Sequence, residues 1–301
     1  MDYVILTHGG ASSPESDSDG CITAAEIARE VLAGGGDALA AAIAATAALE
    51  DDPRFNAGTG SNLRLDGQTL EMDAAVMAGD GRFGAVACIE RVKNPVLVAA
   101  KVLETPHLLL CGAGATAFAR KLGFEDHDPL TDRARARYER ALAELRGRGD
   151  GGLAPEAARF PAEAARRFWN FDGAPARPPI GCDTVGAVVR DGHGRFAAAS
   201  STGGTTYTLR GRVGDVPLPG AGIHAGPLGA VAATGVGEEI ARRLLAKAVY
   251  DWLAEGVGPA RAAQRALDLF PHVLDVGLLV LGRDGSMIAS NRSMASAQIV
   301  G

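Results

Sequence analysis

The sequence predicts an α+β fold in which two sheets carry helices on their outer sides. Strand-like apolar runs gather at both ends of each half of the 301-residue chain, and the helical patterns between them come in pairs. No strand-like run falls between 124 and 180, so strands and helices do not alternate as they would around a parallel sheet. Forty glycines without a repeat period, beside only 5% aromatic residues, indicate many tight turns and close backbone approaches.

In chain order, the apolar run 3–7 predicts a strand that stops at the turn His8-Gly9-Gly10. Ile22, Ile27, Val31 and Leu32 have helical spacing and predict a helix over 22–32, ended by Gly34-Gly35-Gly36. Asp37 is a good N-cap for an alanine-rich helix running to Leu49, which should pack closely on a neighbour. Asp66-Gly67 between the apolar runs 63–65 and 70–77 reads as a hairpin. A strand over 82–89, a helix over 95–103 opened by Pro95, a strand over 108–110 and a helix over 115–122 follow. A charged helix over 133–148 breaks at Gly149-Asp150-Gly151-Gly152, and 149–183 reads as a loop-rich linker with a second helical pattern over 157–169. Strands over 185–189, 196–199 and 230–233 precede a helix over 238–253 with Glu238 and Glu239 in its first turn. A helix over 259–269 and strands over 276–281, 287–290 and 298–300 complete the chain.

Composition narrows the function. With 47% hydrophobic and 22% charged residues the chain has material for a large core, as one large domain or two small ones. A net charge of −6 argues against nucleic acid as partner. No run reaches the roughly 18 apolar residues of a membrane helix, and 1–7 lacks the basic start of a signal peptide, so a cytoplasmic protein is expected. Cys21, Cys88, Cys111 and Cys182 lie far apart and read as reduced, mostly buried residues. Gly112-Ala113-Gly114-Ala115-Thr116-Ala117 matches a dinucleotide fingerprint, with Asp132 twenty residues beyond Gly112. Without a following strand, however, the required βαβ unit is incomplete.

The chemistry concentrates in 181–225. Thr184, Thr202 and Thr234 stand at strand ends next to glycines, and Arg212 and Asp215 sit three residues apart among glycines that let backbone approach a ligand. A threonine hydroxyl needs a base beside it to act as nucleophile. No histidine is tied to these threonines by a motif, although His224 follows the glycine run closely. A threonine made N-terminal by chain cleavage needs no histidine, because its own α-amine titrates near pH 8 and can take the hydroxyl proton. A Pro/Gly-rich segment ending immediately before Thr184 is what such a cleavage requires.

Asp183-Thr184-Val185-Gly186, Ser201-Thr202-Gly203-Gly204, Gly211-Arg212-Val213-Gly214-Asp215 and Thr234-Gly235-Val236-Gly237 occur in that order. Together with His8-Gly9-Gly10, Phe55-Asn56-Ala57-Gly58-Thr59-Gly60, Leu65-Asp66-Gly67, Met72-Asp73-Ala74 and the Gly112 segment, they resemble the plant-type asparaginase/isoaspartyl peptidase family of N-terminal nucleophile hydrolases. The resemblance covers nearly the whole chain. It implies a single domain over 1–301 with a four-layer αββα sandwich of two mainly antiparallel sheets, and autoproteolysis between Asp183 and Thr184. Residues 1–183 would form an α subunit and 184–301 a β subunit, paired as (αβ)2.

By matching position, Thr184 is the implied nucleophile, Thr202 its support, and Thr234 with the Gly235 N–H the oxyanion hole. Arg212 would take the substrate α-carboxylate and Asp215 with the Gly237 carbonyl its α-ammonium, while Asn56 and the His8 turn would line the site and assist maturation. The implied substrates are L-asparagine and β-aspartyl peptides, with no catalytic cofactor. A structural sodium is implied on backbone carbonyls of Leu49, Glu50, Asp52, Phe55, Ala57 and Thr59. Three positions depart from the pattern. Asp183 replaces the usual glycine and matches the related glycosylasparaginases, which cleave N-glycosyl-asparagine and are the alternative. Thr208 stands where lysine is common, and Gly226-Pro227 replaces polar residues. From another functional class, a non-catalytic amino-acid- or nucleotide-binding protein is the competing reading.

Overall fold

The computed structural model describes residues 2–147, 184–206 and 208–301. Among them are two sheets and eight α-helices, an α+β fold. The strands are β1 (Val4–His8), β2 (Met72–Ala78), β3 (Phe83–Ile89), β4 (Leu109–Cys111), β5 (Val185–Arg190), β6 (Phe196–Thr202), β7 (Ile223–Gly226), β8 (Gly229–Gly235), β9 (Val276–Gly282), β10 (Gly285–Ser290) and β11 (Ser296–Val300). The helices are α1 (Ser18–Ala33), α2 (Ala38–Asp51), α3 (Pro95–Val102), α4 (Gly112–Lys121), α5 (Asp132–Gly147), α6 (Gly237–Arg243), α7 (Leu245–Ala254) and α8 (Pro259–Leu267). The larger sheet runs β11-β1-β5-β6-β2-β3-β4, the smaller β10-β9-β8-β7, and only β3 and β4 pair in parallel.

Three apolar layers hold these elements together. Alanines and valines of α1, α2 and α3 pack on one face of the larger sheet, through Ala45, Leu49, Val76, Ala187 and Ala199 among others. The opposite face, with Leu6, Met77, Val188 and Ala198, meets Ile223, Ala232, Leu279 and Leu281 of the smaller sheet. The outer face of the smaller sheet packs on Ile240, Leu245, Val249, Ala263 and Ala266 of α6 to α8. Both sheets are therefore covered on both faces, which is why β2, β5 and β8 read as continuous apolar runs rather than as alternating ones.

Several expectations need correction. Of the 63–77 hairpin only the tip forms: Gly67 N–H bonds the Arg64 carbonyl and Arg64 N–H the Thr69 carbonyl, but Leu65 N–H bonds the Thr208 carbonyl, and β2 pairs with β3 and β6. The helix expected over 238–253 is two, because Leu244 takes a left-handed conformation (φ 46°) between α6 and α7. Strand β7 was not foreseen in its glycine-rich setting. Helix α1 begins at Ser18, and its buried face is Gly20, Cys21, Ala24, Ala25 and Ala28, while Ile22 is exposed. Cys111 is exposed, unlike Cys21 and Cys88. The whole linker 149–183, with the expected helix over 157–169, Cys182 and Asp183, lies outside the described residues. No helix among the described residues is long and apolar enough to cross a membrane.

Candidate active site

Pairing register builds the centre of the site. Val185 of β5 faces Ser201 of β6, so the next step of the ladder brings Thr184 beside Thr202, and their hydroxyls are 3.3 Å apart. On the far side of β6, Thr202 faces Asp73 of β2. Thr184, Thr202 and Asp73 thus lie in a row across three strands, all buried. A β-bulge between Met72 and Ala74 aims Asp73: opposite it Cys88 takes φ 49° and donates its N–H to Asp73 Oδ1 at 2.8 Å. Beyond β6 the Gly204 N–H donates to Thr202 Oγ1 at 3.0 Å. The Gly204 carbonyl accepts from Asn56 Nδ2 at 2.6 Å and Asn62 Nδ2 at 3.0 Å. Asn56 therefore acts here as a clamp on the loop after β6.

The facing wall comes from the smaller sheet. Thr184, Thr202, Gly204, Thr205, Arg212, Gly214, Asp215, Gly235 and Gly237 line one pocket. Gly235 ends β8 with φ 138°, and a Cβ there would lie 2.1 Å from the Asp275 carbonyl, so only glycine fits. Thr234 is fully buried, and its Oγ1 accepts the Ala11 N–H at 3.1 Å. Gly237 opens α6, where a Cβ would sit 2.8 Å from Asp215 Oδ1 and 2.9 Å from Arg212 Nη2. The missing side chain is what lets this backbone reach the two charged groups.

Arg212 and Asp215 differ in environment. The Arg212 Nε and Nη2 each bond the Glu238 carboxylate at 2.9 Å, a bidentate pair that holds the guanidinium at the pocket wall. Asp215 is buried, and its Oδ2 has no hydrogen-bond partner among the described residues. Burial pushes its carboxyl up to about 7, with Glu238 and Asp73 adding to the effect and Arg212 opposing it. A buried acceptor without a donor, beside an arginine and facing two threonine hydroxyls, is a place for a cationic ligand group.

His8, the last residue of β1, pairs with Gly186 and is fully buried. Burial lowers its pKa to about 3 against the opposing hydrogen bond with the Thr184 backbone, which leaves it neutral beside Thr184. His224 does not join the pocket; it packs against the Tyr250 ring on the smaller sheet. Helix α4 follows β4, and no strand follows it among the described residues before β5, so the Gly112 segment has no dinucleotide unit around it.

Glu50, Asp51 and Asp52 close α2, and each has a protein partner. Glu50 is buried and accepts the Val96 N–H at 2.9 Å, capping α3. Burial pushes it up to about 8, against the Ser201 hydroxyl and the Val96 N–H. Asp51 pairs with Lys93 at 2.8 Å and Asp52 with Arg54 at 2.6 Å. Backbone oxygens crowd the loop instead: the Pro53 and Phe55 carbonyls each lie 2.7 Å from where a Gly60 Cβ would stand, and those of Glu50 and Lys93 at 2.7 and 2.8 Å from that of Gly58. Both positions therefore need glycine.

Sequence reasoning passed over Asp73, Thr205, Gly214 and the Glu238 partner of Arg212. Asp73 carried a signal, a lone charge inside the apolar run Met72-Asp73-Ala74-Ala75-Val76, because such a charge is costly unless it has partners or a role.

The sequence profile of the asparaginase family matches residues 1–300. The chain belongs to the asparaginase family. Among its relatives in that family, a plant-type L-asparaginase of Thermococcus kodakarensis is 39% identical over 274 residues, covering 88% of this chain and 84% of that protein. One from Pyrococcus furiosus is 38% identical over 295 residues (94% and 91%). An isoaspartyl peptidase/L-asparaginase of Danio rerio is 35% identical over 311 residues (97% and 89%).

Proposed function

We propose that this asparaginase-family chain hydrolyses β-aspartyl amide bonds, in L-asparagine and isoaspartyl dipeptides, after cutting itself between Asp183 and Thr184. The observation that carries the reading is the pocket in which the paired Thr184 and Thr202 hydroxyls face Arg212 and an Asp215 carboxyl whose Oδ2 has no partner among the described residues. An arginine and an acid side by side fit the carboxylate and ammonium of a free amino acid head group. The scissile amide is then the side-chain amide.

In this reading the new α-amine of Thr184 takes the Oγ1 proton and the oxygen adds to the side-chain carbonyl. The Gly235 N–H and Thr234 hydroxyl steady the oxyanion. The amine returns its proton to the leaving nitrogen, so ammonia or a peptide amine departs and a β-aspartyl ester of Thr184 is left. Water, deprotonated by the same amine, hydrolyses that ester and releases aspartate. Thr202 orients Thr184, the Gly237 carbonyl joins Asp215 on the ammonium, and Asn56 keeps the Gly204 loop in place. The layering of helices, two sheets and helices supports reading the fold as an αββα sandwich of the N-terminal nucleophile type, cut into subunits 1–183 and 184–301 that pair as (αβ)2. No cofactor takes part in catalysis. Backbone carbonyls of Leu49, Glu50, Asp52, Phe55, Ala57 and Thr59 hold a structural sodium that stiffens the loop carrying Asn56.

Asp183, which the glycosylasparaginases share at this place, favours N-glycosyl-asparagine as the second reading. Intact-mass analysis of purified wild type and Thr184→Ala tests the main one. Wild type gives two fragments separated at Asp183–Thr184 and hydrolyses asparagine; the variant stays whole and inactive. A wild-type chain that stays uncut, or an active variant, overturns the proposal. Comparing hydrolysis of β-aspartyl-leucine with that of glycosylated asparagine separates the two substrates.

A further inference from the structure

Arg212 sits on a loop between β6 and β7, with neither strand nor helix to fix its backbone. A buried ion pair beneath the loop does so instead. Arg64 is fully buried, and its Nε lies 3.2 Å from Glu71 Oε2. Glu71 Oε2 also accepts the Gly211 N–H at 2.7 Å, while Arg64 Nη2 donates to the Arg212 carbonyl at 3.2 Å. The two residues Gly211 and Arg212 are thus gripped from both ends by one ion pair. Arg64 Nη1 adds a bond to Thr208 Oγ1 at 2.7 Å, and Thr208 Oγ1 in turn donates to the Thr205 carbonyl at 2.9 Å.

The same guanidinium packs on the other half of the site. A Cβ at Gly204, whose φ is 73°, would lie 2.4 Å from Arg64 Nη1, so the arginine fills the space that glycine leaves beside the Thr202 support. Burial raises the Asp73 carboxyl, and Arg64 together with Arg212 opposes that rise. Arg64 touches neither Thr184 nor the pocket surface.

Building on the function proposed above, we propose that the Arg64–Glu71 pair is a positioning device for Arg212, setting the affinity for the substrate α-carboxylate without taking part in bond breaking. It acts on KM far more than on kcat. The variants that test it are Arg64→Lys, which keeps the charge and loses the fork, and the double variant Arg64→Met/Glu71→Met, which replaces a buried pair by apolar side chains and so need not unfold the chain.

Both variants are expected to cut themselves at Thr184 and to melt within a few degrees of wild type. Their KM for asparagine should be raised at least tenfold and their kcat changed by less than about threefold. With 3-aminopropanamide, which is asparagine without its α-carboxyl group, kcat/KM should be low and the same in wild type and variants, because Arg212 has nothing to hold. A double variant with wild-type melting and wild-type KM overturns the inference, as does an equal loss on both substrates. If the double variant unfolds, Arg64→Lys decides by the same two criteria; a lysine variant that also unfolds overturns the inference in favour of a purely structural role. A wild-type chain that neither cuts itself nor hydrolyses asparagine fails the proposed function itself, which is a different result.

Discussion

Replacing Gly237 by alanine tests the head-group site with little disturbance elsewhere. The residue opens α6 in a backbone conformation any residue adopts, so the added methyl brings no strain of its own. It would stand 2.8 Å from Asp215 Oδ1 and 2.9 Å from Arg212 Nη2, and ordinary contact asks both groups to retreat by roughly half an ångström. Asp215 cannot follow easily, because its carbonyl holds the N–H groups of Leu218 and Gly222 at 3.1 and 3.0 Å. A retreat of that size takes one charge-assisted hydrogen bond to the substrate out of range, a loss of about 1.5–3 kcal/mol. KM for asparagine should therefore rise roughly 10- to 100-fold. Stability should change by less than about 1 kcal/mol, since alanine is the better helix former and offsets some of the crowding. Self-cleavage should be untouched. Steady-state kinetics with a denaturing gel and a urea melt read all three quantities. An unchanged KM, or a variant that no longer cuts itself, refutes the assignment of Gly237, Arg212 and Asp215 to the head group.

Two further expectations concern pH. Only ionised Asp215 can take an ammonium, so kcat/KM for asparagine should rise with pH through a limb near 7; a flat profile from pH 6 to 8 sinks that role. Folding stability has the opposite trend above neutrality. Glu50 at about 8 and Asp215 at about 7 keep protons in the native chain that the unfolded chain releases near pH 4, so their contribution is full in acid and is lost as pH rises to about 8. His8 at about 3 and His224 at about 4 stay neutral where the unfolded chain is protonated, so stability rises with pH up to about 6.5 on their account. Above 6.5 the acids act alone, and urea midpoints should fall towards pH 8, by at most about 1.4 kcal/mol per pH unit for each proton lost. Glu50→Gln should flatten most of that fall, and a variant with the wild-type slope would show that Glu50 is already ionised at neutral pH.

The parts of the fold legible in the sequence are those that local chemistry decides. Asp37 caps α2 as its position promised, its Oδ1 accepting the Ala40 N–H at 2.8 Å, and Pro95 opens α3. The 63–77 hairpin stops at its tip because the Leu65 N–H is committed to the Thr208 carbonyl, a partner more than 140 residues away that no local pattern reveals. Helix α1 misled by size. Close packing against alanine-rich α2 selects small residues for the buried face and leaves Ile22 outside. The break at Leu244 carries neither glycine nor proline, so nothing in the pattern marked it. In the site, Thr184, Thr202, Arg212, Asp215, Gly235 and Gly237 meet in one pocket, Asn56 braces the Gly204 loop beside it, Thr234 is buried immediately before Gly235, and Asp183 is outside the described residues. Motif order identified the residues that face the pocket. The charges beneath them, Arg64, Glu71 and Asp73, are placed by tertiary contacts alone.

Strand order has a consequence for the mature protein. In the larger sheet β1 lies between β11 and β5, and β6 lies between β5 and β2, so strands from either side of residue 184 are interleaved. Neither fragment of a chain cut at that bond would own a continuous half of the sheet. The two polypeptides would be locked together like the fingers of clasped hands, and could part only by melting. Unfolding would then be a dissociation governed by mass action. Dilution should lower the midpoint of the cut protein while leaving that of uncut Thr184→Ala in place, and once separated neither fragment can rebuild the larger sheet alone.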